Sequence, residues 1–337
     1  MKTISDKIFN NPEVQNLVDK NEFASAADHL FQSQLKNWPL MKASYDALNN
    51  VQTKSFWYDG FKLSVQFNPG RIKSTSAVVD KNSVANRPCF LCIENLPEEQ
   101  KGITIRNKFI LLCNPYPILP QHFTIAALDH QPQAISEHFP DFLELSKMLF
   151  PKYTLIYNGP ACGASAPDHL HFQAGTKQQI PIENDINQLK NDFGKLVYEN
   201  ELISVSFIND GVRRIIFIES NDQSLIEKSF EKILKVYEKF SKTKSEPMLN
   251  LICSYDNEFG WSLIIFLRRK HRPDLFFNND PDKVLISPAA IDMGGLIITP
   301  REEDFNKINE KLIQQIINEV SLDSDTCESM IKLFKQT

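Results

Sequence analysis

The chain has 337 residues, 42% of them hydrophobic, enough for a full core and about two domains. Its formal charge is −5 with Lys and Arg scattered, which argues against a nucleic-acid-binding surface but leaves room for a few cations around one phosphate substrate. No run approaches the roughly 20 apolar residues of a membrane helix, the N-terminus has no apolar signal core, and six spread cysteines do not make a disulfide framework, so the expectation is a soluble cytoplasmic protein with reduced thiols.

Residues 5–50 read as helical, with Val14, Leu17, Val18 and then Ala27, Leu30, Phe31, Leu35 at a 3.6-residue period. SFWYDGFKLSVQF predicts a strand pair turning at Asp59-Gly60. Its aromatics Trp57 and Tyr58, like Trp261 further on, are assigned to the core rather than to base stacking. NKFILLC and QHFTIAALDH predict two strands divided by a proline-rich turn. A helix then ends near residue 150, with Phe142, Leu143, Leu145 and Met148 inward and Pro140 in its first turn, where a missing N–H costs little. YTLIYNG and HLHFQAG follow as strands, joined by a loop of small residues.

The second half repeats this plan: ISVSFI and VRRIIFIES as strands, an amphipathic helix over 222–241, then MLNLICSY and GWSLIIFLRR as strands. This implies a duplicated α+β unit. The first copy ends on His-x-His-x-Gln, whereas the matching stretch of the second is WSLIIF, so chemistry is expected in the first copy alone. The tail reads as SPAAIDMGG, whose Gly294-Gly295 either lines the pocket or, as the favoured reading, makes an ordinary turn, and helices over 302–321 and 324–335. The expected division is a helical segment 1–50, a catalytic half 51–200, and a degenerate half with C-terminal helices 201–337.

Residues i, i+2 and i+4 of a strand share a face, so His169, His171 and Gln173 point one way and Leu170 and Phe172 the other. Burying three polar side chains together is costly without partners, which places them on a cleft. The loop before them, from Gly159 to Ser165, lacks bulk, and its backbone N–H groups can approach a phosphate. A neutral imidazole is a nucleophile toward phosphorus, and splitting a transfer through a nucleotidyl-histidine makes two easier steps of one. Gln173 would donate to a phosphate oxygen as charge shifts. The rate should then fall as pH drops below the pKa of His171.

Cys89-x-x-Cys92 is a zinc half-site or a pair of free thiols. Zinc needs two further N/S ligands; His169 is the natural third, His130 the best fourth and His122 its rival. Such a zinc would be structural. Asn68 and Arg71, at the end of a predicted strand, are candidates to contact base, ribose or phosphate, against the alternative of a surface turn. The run Arg268-Arg269-Lys270-His271-Arg272 either reaches a distal phosphate or the acceptor, or is a solvated basic end.

DHLHFQAG, NGPACGAS, YPILPQHFTIAALDH and the stretch from Val65 to Cys92 together resemble the histidine-triad superfamily, in the branch of galactose-1-phosphate uridylyltransferase, diadenosine tetraphosphate phosphorylase and plant GDP-L-galactose phosphorylase. The resemblance covers about residues 55–300. It implies a duplicated histidine-triad-like unit of antiparallel sheet and packed helices, and a nucleotidyltransferase or phosphorylase that cleaves a nucleoside diphosphate sugar or dinucleoside polyphosphate through a covalent nucleotidyl-histidine. His171 takes the nucleophile's place and Gln173 that of its phosphate-binding partner. Asn158, Gly159, Gly163 and Ser165 fall in the substrate loop, and Cys89, Cys92, His130 and His169 match the uridylyltransferase zinc ligands, although some branch members lack zinc. Leu170 stands where the uridylyltransferases have proline, which favours a phosphorylase-like member. No organic cofactor, nucleic acid or membrane partner is implied; the acceptor is phosphate or a sugar 1-phosphate, and the resemblance allows a homodimer. A hydrolase using the same histidine and a non-catalytic nucleotide-binding protein are the alternatives.

Overall fold

The computed structural model describes residues 2–77, 79–241 and 246–336. Residues 4–48 form helices, the longest Phe23–Asn37, which buries Ala26, Ala27 and Leu30. The hairpin turns at Gly60, whose φ of 76° suits glycine, and joins β1 (Gln52–Tyr58) to β2 (Phe61–Phe67). Then come β3 (Gly102–Ile105), β4 (Phe109–Cys113), β5 (His122–Ala127), the helix Phe139–Met148, β6 (Tyr153–Asn158) and β7 (His171–Thr176). The helix Pro181–Phe193 leads to β8 (Gly194–Glu199), β9 (Ile203–Asn209), β10 (Arg214–Ser220), the helix Gln223–Glu238, β11 (Leu249–Asp256), β12 (Gly260–Leu267) and β13 (Leu296–Thr299).

Ten strands make one sheet in the order β3-β4-β5-β7-β6-β11-β12-β10-β9-β8. From the β6–β11 seam outward, the first half gives β6, β7, β5, β4, β3 and the second β11, β12, β10, β9, β8. Each half therefore runs three strands, a helix and two strands in the same spatial order: a duplicated α+β unit. Paired residues share a face, so Thr124, Gln173, Ile156, Ile252, Ile264 and Phe217 form one row across the sheet. Ile264 occupies in the second unit the place of Gln173 in the first, and Ser262 that of His171.

On the opposite face, Phe172 and Ala174 of β7, with Leu170 just before it, join a core with Phe142, Phe230 and Leu263, roofed by the helices Phe139–Met148 and Gln223–Glu238. On the Gln173 side, the second unit is covered by an apolar layer that includes Ile186, Ile297 and Ile316, while the first unit is left open as a cavity. β2 pairs with β1 on one side and, in parallel, with β13 on the other.

Several expectations need correction. The boundary at residue 200 falls inside the β8–β9 pair, so strand pairing puts the junction at the helix Pro181–Phe193. That helix, β3 and β8 have no counterpart in the sequence reading. The helix expected over 302–321 is two, Glu302–Lys307 and Glu310–Val320, broken where Asn309 caps the second by accepting from Leu312 N at 3.1 Å. Trp57 is not core: it is 73% exposed on β1, the edge strand of the small sheet. No helix of the described residues is long and apolar enough to cross a membrane.

Candidate active site

β7 lies between β5 and β6, with His171 opposite Ala126 and Gln173 opposite Thr124. His171 Nδ1 lies 2.8 Å from the carbonyl oxygen of His169. A carbonyl only accepts, so Nδ1 carries the proton and Nε2 keeps its lone pair. The backbone of His171 is clamped from outside the sheet: its N–H donates to Gln133 Oε1 at 2.8 Å, and Gln133 Nε2 donates to its carbonyl at 3.0 Å and to that of Asn158 at 2.8 Å. The residue is 5% exposed and lines a cavity of roughly 580 Å³, within the range of small-molecule sites.

Burial pushes the pKa of His171 down to about 4, against the opposing bond to His169. The ring is therefore neutral over the whole physiological range, and the acid loss of rate expected of an ordinary imidazole moves to lower pH.

Gln173 is oriented by a residue the sequence reading had considered only as a rival metal ligand. Ile118 N–H donates to His122 Nδ1 at 3.2 Å, so His122 Nε2 bears the proton and donates to Gln173 Oε1 at 3.0 Å. This leaves the Gln173 amide nitrogen for the cavity. The signal that might have found His122 was its place on a predicted strand; its pairing partner lies 51 residues away.

His122 is fully buried, and burial, then Arg71, lowers its pKa to about 4. Burial, then Arg272 and Arg268, does the same to His271. The unfolded chain binds protons at these rings between roughly pH 6.5 and 4 while the folded chain does not, so stability is lost as pH falls through that window. Replacing His122 by asparagine should flatten the decline of Tm between those pH values, the wild-type cost being on the order of 2–3 kcal/mol. Parallel Tm–pH curves for the two proteins would refute the assignment.

Two chambers share Arg71, Ser74, Ala77, Ser165 and Gln173 as a common wall. The larger is mostly apolar, with Leu40, Phe90, Leu96, Pro97, Leu112 and Tyr116; Arg87 stacks on Phe90 at 4.9 Å. The smaller is polar and carries Asn158, Gly163, His271, Arg272, Ser287 and Asp292. Among the described residues, no hydrogen bond engages the backbone N–H of Gly163, Ala164 or Ser165, which leaves them for an anion. Gly163 sits at φ 97°, and a Cβ there would meet Ala289 at 2.6 Å.

Other candidates are placed differently. Asn68 spends its amide on Gln66 Oε1 at 3.0 Å and the Pro117 carbonyl at 3.2 Å, and it lines neither chamber. Gly159 also stays off both walls: a Cβ would meet the Leu249 carbonyl at 2.9 Å. Asn158 reaches the small chamber, but its Oδ1 accepts from Asn250 and from Ala290 N, each at 2.8 Å. Arg71 lies on both walls, held by the Tyr116 carbonyl at 2.7 Å and Ser74 Oγ at 2.8 Å, and burial lowers its pKa to about 10. The basic run divides: Arg268 is 1% exposed and bonded to Asn250, Pro288, Val320, Lys270 and His271, while His271 and Arg272 reach the small chamber. Of the two readings of SPAAIDMGG the structure takes the pocket-lining one: Ser287, Ala289 and Asp292 line that chamber.

Cys89, Cys92, His130 and His169 converge, with one ligand atom from each all within 4.8 Å of one another. Tetrahedral zinc places its ligand atoms roughly 3.3–3.8 Å apart. Cys89 Sγ to His169 Nδ1 is 3.2 Å, Cys92 Sγ to His130 Nδ1 is 3.2 Å, and Cys92 Sγ to His169 Nδ1 is 3.6 Å. His169 Nε2 donates to the Ala127 carbonyl at 2.8 Å, so its Nδ1 lone pair faces the sulfurs. Asp168 faces the far nitrogen of His130 at 3.8 Å and holds Arg87 at 3.3 Å. Burial, with the neighbouring Cys89, pushes the Cys92 thiol up to about 12; a thiolate there requires a cation. The donor set fits a metal ion and can bind one.

Residues 30–176 match a domain of unknown function (DUF4922), and residues 190–337 match the GDPGP1-like, C-terminal domain. The break between the two matches falls at the helix Pro181–Phe193. No curated protein matches the sequence. Among solved structures, yeast Ap4A phosphorylase Apa2 is similar at 14% identity and TM-score 0.56, covering 88% of this chain and 93% of that one. Its complex with AMP gives 13% identity, TM-score 0.57 and coverages of 88% and 96%; its complex with Ap4A gives 14%, 0.58, 90% and 97%. The chain thus shares the fold of yeast Ap4A phosphorylase, and its second half matches the GDPGP1-like, C-terminal domain.

Proposed function

We propose that the chain is a nucleotidyltransferase of the phosphorylase kind (EC 2.7.7 type) acting on a nucleoside diphosphate sugar or a dinucleoside polyphosphate. The observation that carries this reading is a neutral His171 with its Nε2 lone pair free at the wall of a nucleotide-sized cavity, beside the Gln173 amide. Nε2 attacks the α-phosphorus of the bound nucleotide. A P–N bond forms as the P–O bond to the leaving phosphoryl group breaks and takes the electron pair. The proton stays on Nδ1, where the His169 carbonyl stabilises the positive charge the ring acquires. Gln173 donates to a non-bridging oxygen, and Arg71 and the loop Gly163–Ser165 offset the charge of the phosphates. The apolar chamber takes the nucleoside. Yeast Apa2, of the same fold, is an Ap4A phosphorylase with AMP and Ap4A complexes, and the GDPGP1-like match supports nucleotide chemistry on this scaffold.

A zinc ion held by Cys89, Cys92, His130 and His169 would play a structural part, fixing the start of β7. The test uses nucleotide sugars and dinucleoside polyphosphates, each with and without inorganic phosphate. Phosphorolysis predicts a nucleoside diphosphate or its counterpart only when phosphate is present, and acid-labile label on His171 from a donor labelled at the α-phosphate. A nucleoside monophosphate released at the same rate with or without phosphate would make it a hydrolase instead.

A further inference from the structure

We infer that the second unit, which lacks the histidine motif, supplies the acceptor site: His271 and Arg272 form, with Arg71 and Ser165, a subsite for inorganic phosphate. This rests on the nucleotidyl-transfer reading above and adds where the acceptor binds and which residues select it.

Arg272 follows β12 and is held rigidly. Its Nε donates to Ser287 Oγ at 2.9 Å, one terminal nitrogen donates to the carbonyls of Thr75 and Ala77 at 3.3 and 2.8 Å, and its guanidinium lies 4.2 Å over the ring of Phe276. Among the described residues, none of these bonds engages Nη1, and the side chain lines the small chamber. A guanidinium fixed on three sides with one donor edge left over is a pre-organised oxyanion ligand. Arg71 stands on the same wall, and the one carboxylate among the described residues of the chamber, Asp292, is occupied by the N–H groups of Ala289 at 3.0 Å and Ile298 at 2.9 Å. Burial first, and then Arg272 and Arg268, disfavour a proton on His271, so the ring adds no charge of its own to the chamber.

Size selects among anions. The small chamber has roughly 50 Å³ against roughly 580 Å³ for its neighbour. At about 10–15 Å³ for one water, that is space for about four waters, which suits the five heavy atoms of phosphate and is too small for a hexose phosphate. Gln173 and Ser165 belong to both walls, so an anion here adjoins the phosphorus carried on His171. A phosphate dianion oxygen then forms a P–O bond as the P–Nε2 bond breaks, and the electron pair returns to the imidazole. No general base is needed, because the attacking oxygen is already charged.

The experiment is calorimetric titration of inorganic phosphate into the full chain, wild type, Arg272→Gln and Arg272→Lys, with Tm as the folding control. Losing a charge-assisted pair should weaken phosphate binding by at least about tenfold in Arg272→Gln, with Arg272→Lys in between. Phosphate should also raise the pKa of His271, read by NMR. Equal phosphate affinity in wild type and Arg272→Gln would overturn the assignment, as would wild type binding a sugar 1-phosphate more tightly than phosphate. If Arg272→Gln does not fold, Arg272→Lys and the His271 titration in wild type decide alone. Phosphate binding with no nucleotidyl-enzyme from any donor would leave the subsite standing and overturn the transfer reading instead.

Discussion

His171→Ala should lose turnover by about 10⁴-fold or more, an effect of about 5 kcal/mol on the transition state, with Tm close to wild type. The reason is specific to a nucleophile. Removing a group that only binds or polarises leaves a slower version of the same path, whereas removing the atom that forms the covalent bond removes the path. The ring also contributes little to the core. Its burial comes from lining the cavity, and the clamp on this part of β7 is made by its backbone with Gln133. The two measurements therefore separate: no label retained on the protein from a donor labelled at the α-phosphate, yet a cooperative unfolding transition near that of the parent. A variant that turned over at a tenth of the wild-type rate would rule out a covalent histidine and leave the ring as a binding group.

Much of this geometry was legible in the chain because it is carried by local alternation. The spacing of His171 and Gln173 determines their common face, and the same argument puts Phe172, with Leu170 beside it, in the core; His169, expected on that face too, precedes the first residue of β7 and turns to the cysteines instead. The duplication was legible because each unit repeats its order of patterned strands and helix. What the sequence reading missed depends on register between distant segments. His122 is beside Gln173 only because β5 pairs with β7, and Gln133 sits in an irregular loop with no periodicity to mark it. Arg272 and Asp292 were legible only as members of a basic run and of a glycine-containing loop, each with a bland alternative, and they reach the cavity because the loops after β12 and before β13 fold back over the first unit. Trp57 went wrong for a related reason: an apolar residue on an alternating strand is core only if that face is covered, and β1 is an edge strand.

The cluster of Cys89, Cys92, His130 and His169 yields the other large effect. Purified chain should carry one equivalent of zinc, and Cys89→Ala with Cys92→Ala should abolish it and lower Tm by about 10 °C, corresponding to about 3–4 kcal/mol for a domain of this size. The two cysteines lie in a segment whose only regular structure between Arg87 and Gln100 is the short turn Ile93–Asn95. That segment forms part of the cavity wall through Phe90, Leu91 and Leu96, so it needs an anchor that its own backbone does not provide. A second consequence distinguishes a metal from two buried thiols. His169 is at once the proposed ligand, through Nδ1, and the residue whose carbonyl holds the proton on His171 Nδ1. Loosening the ligand end should let the His171 ring change tautomer and place a proton on the attacking nitrogen. The double variant should then lose kcat as well as Tm although it leaves His171 in place, and a chelator should reproduce both losses in wild type. Cys327→Ala, at a buried thiol far from the cluster, should show only the small cost of a lost core contact, about 1 kcal/mol. If the double variant and Cys327→Ala behave alike and the wild type holds no metal, Cys89 and Cys92 are packing residues and the tautomer of His171 is held by the backbone alone.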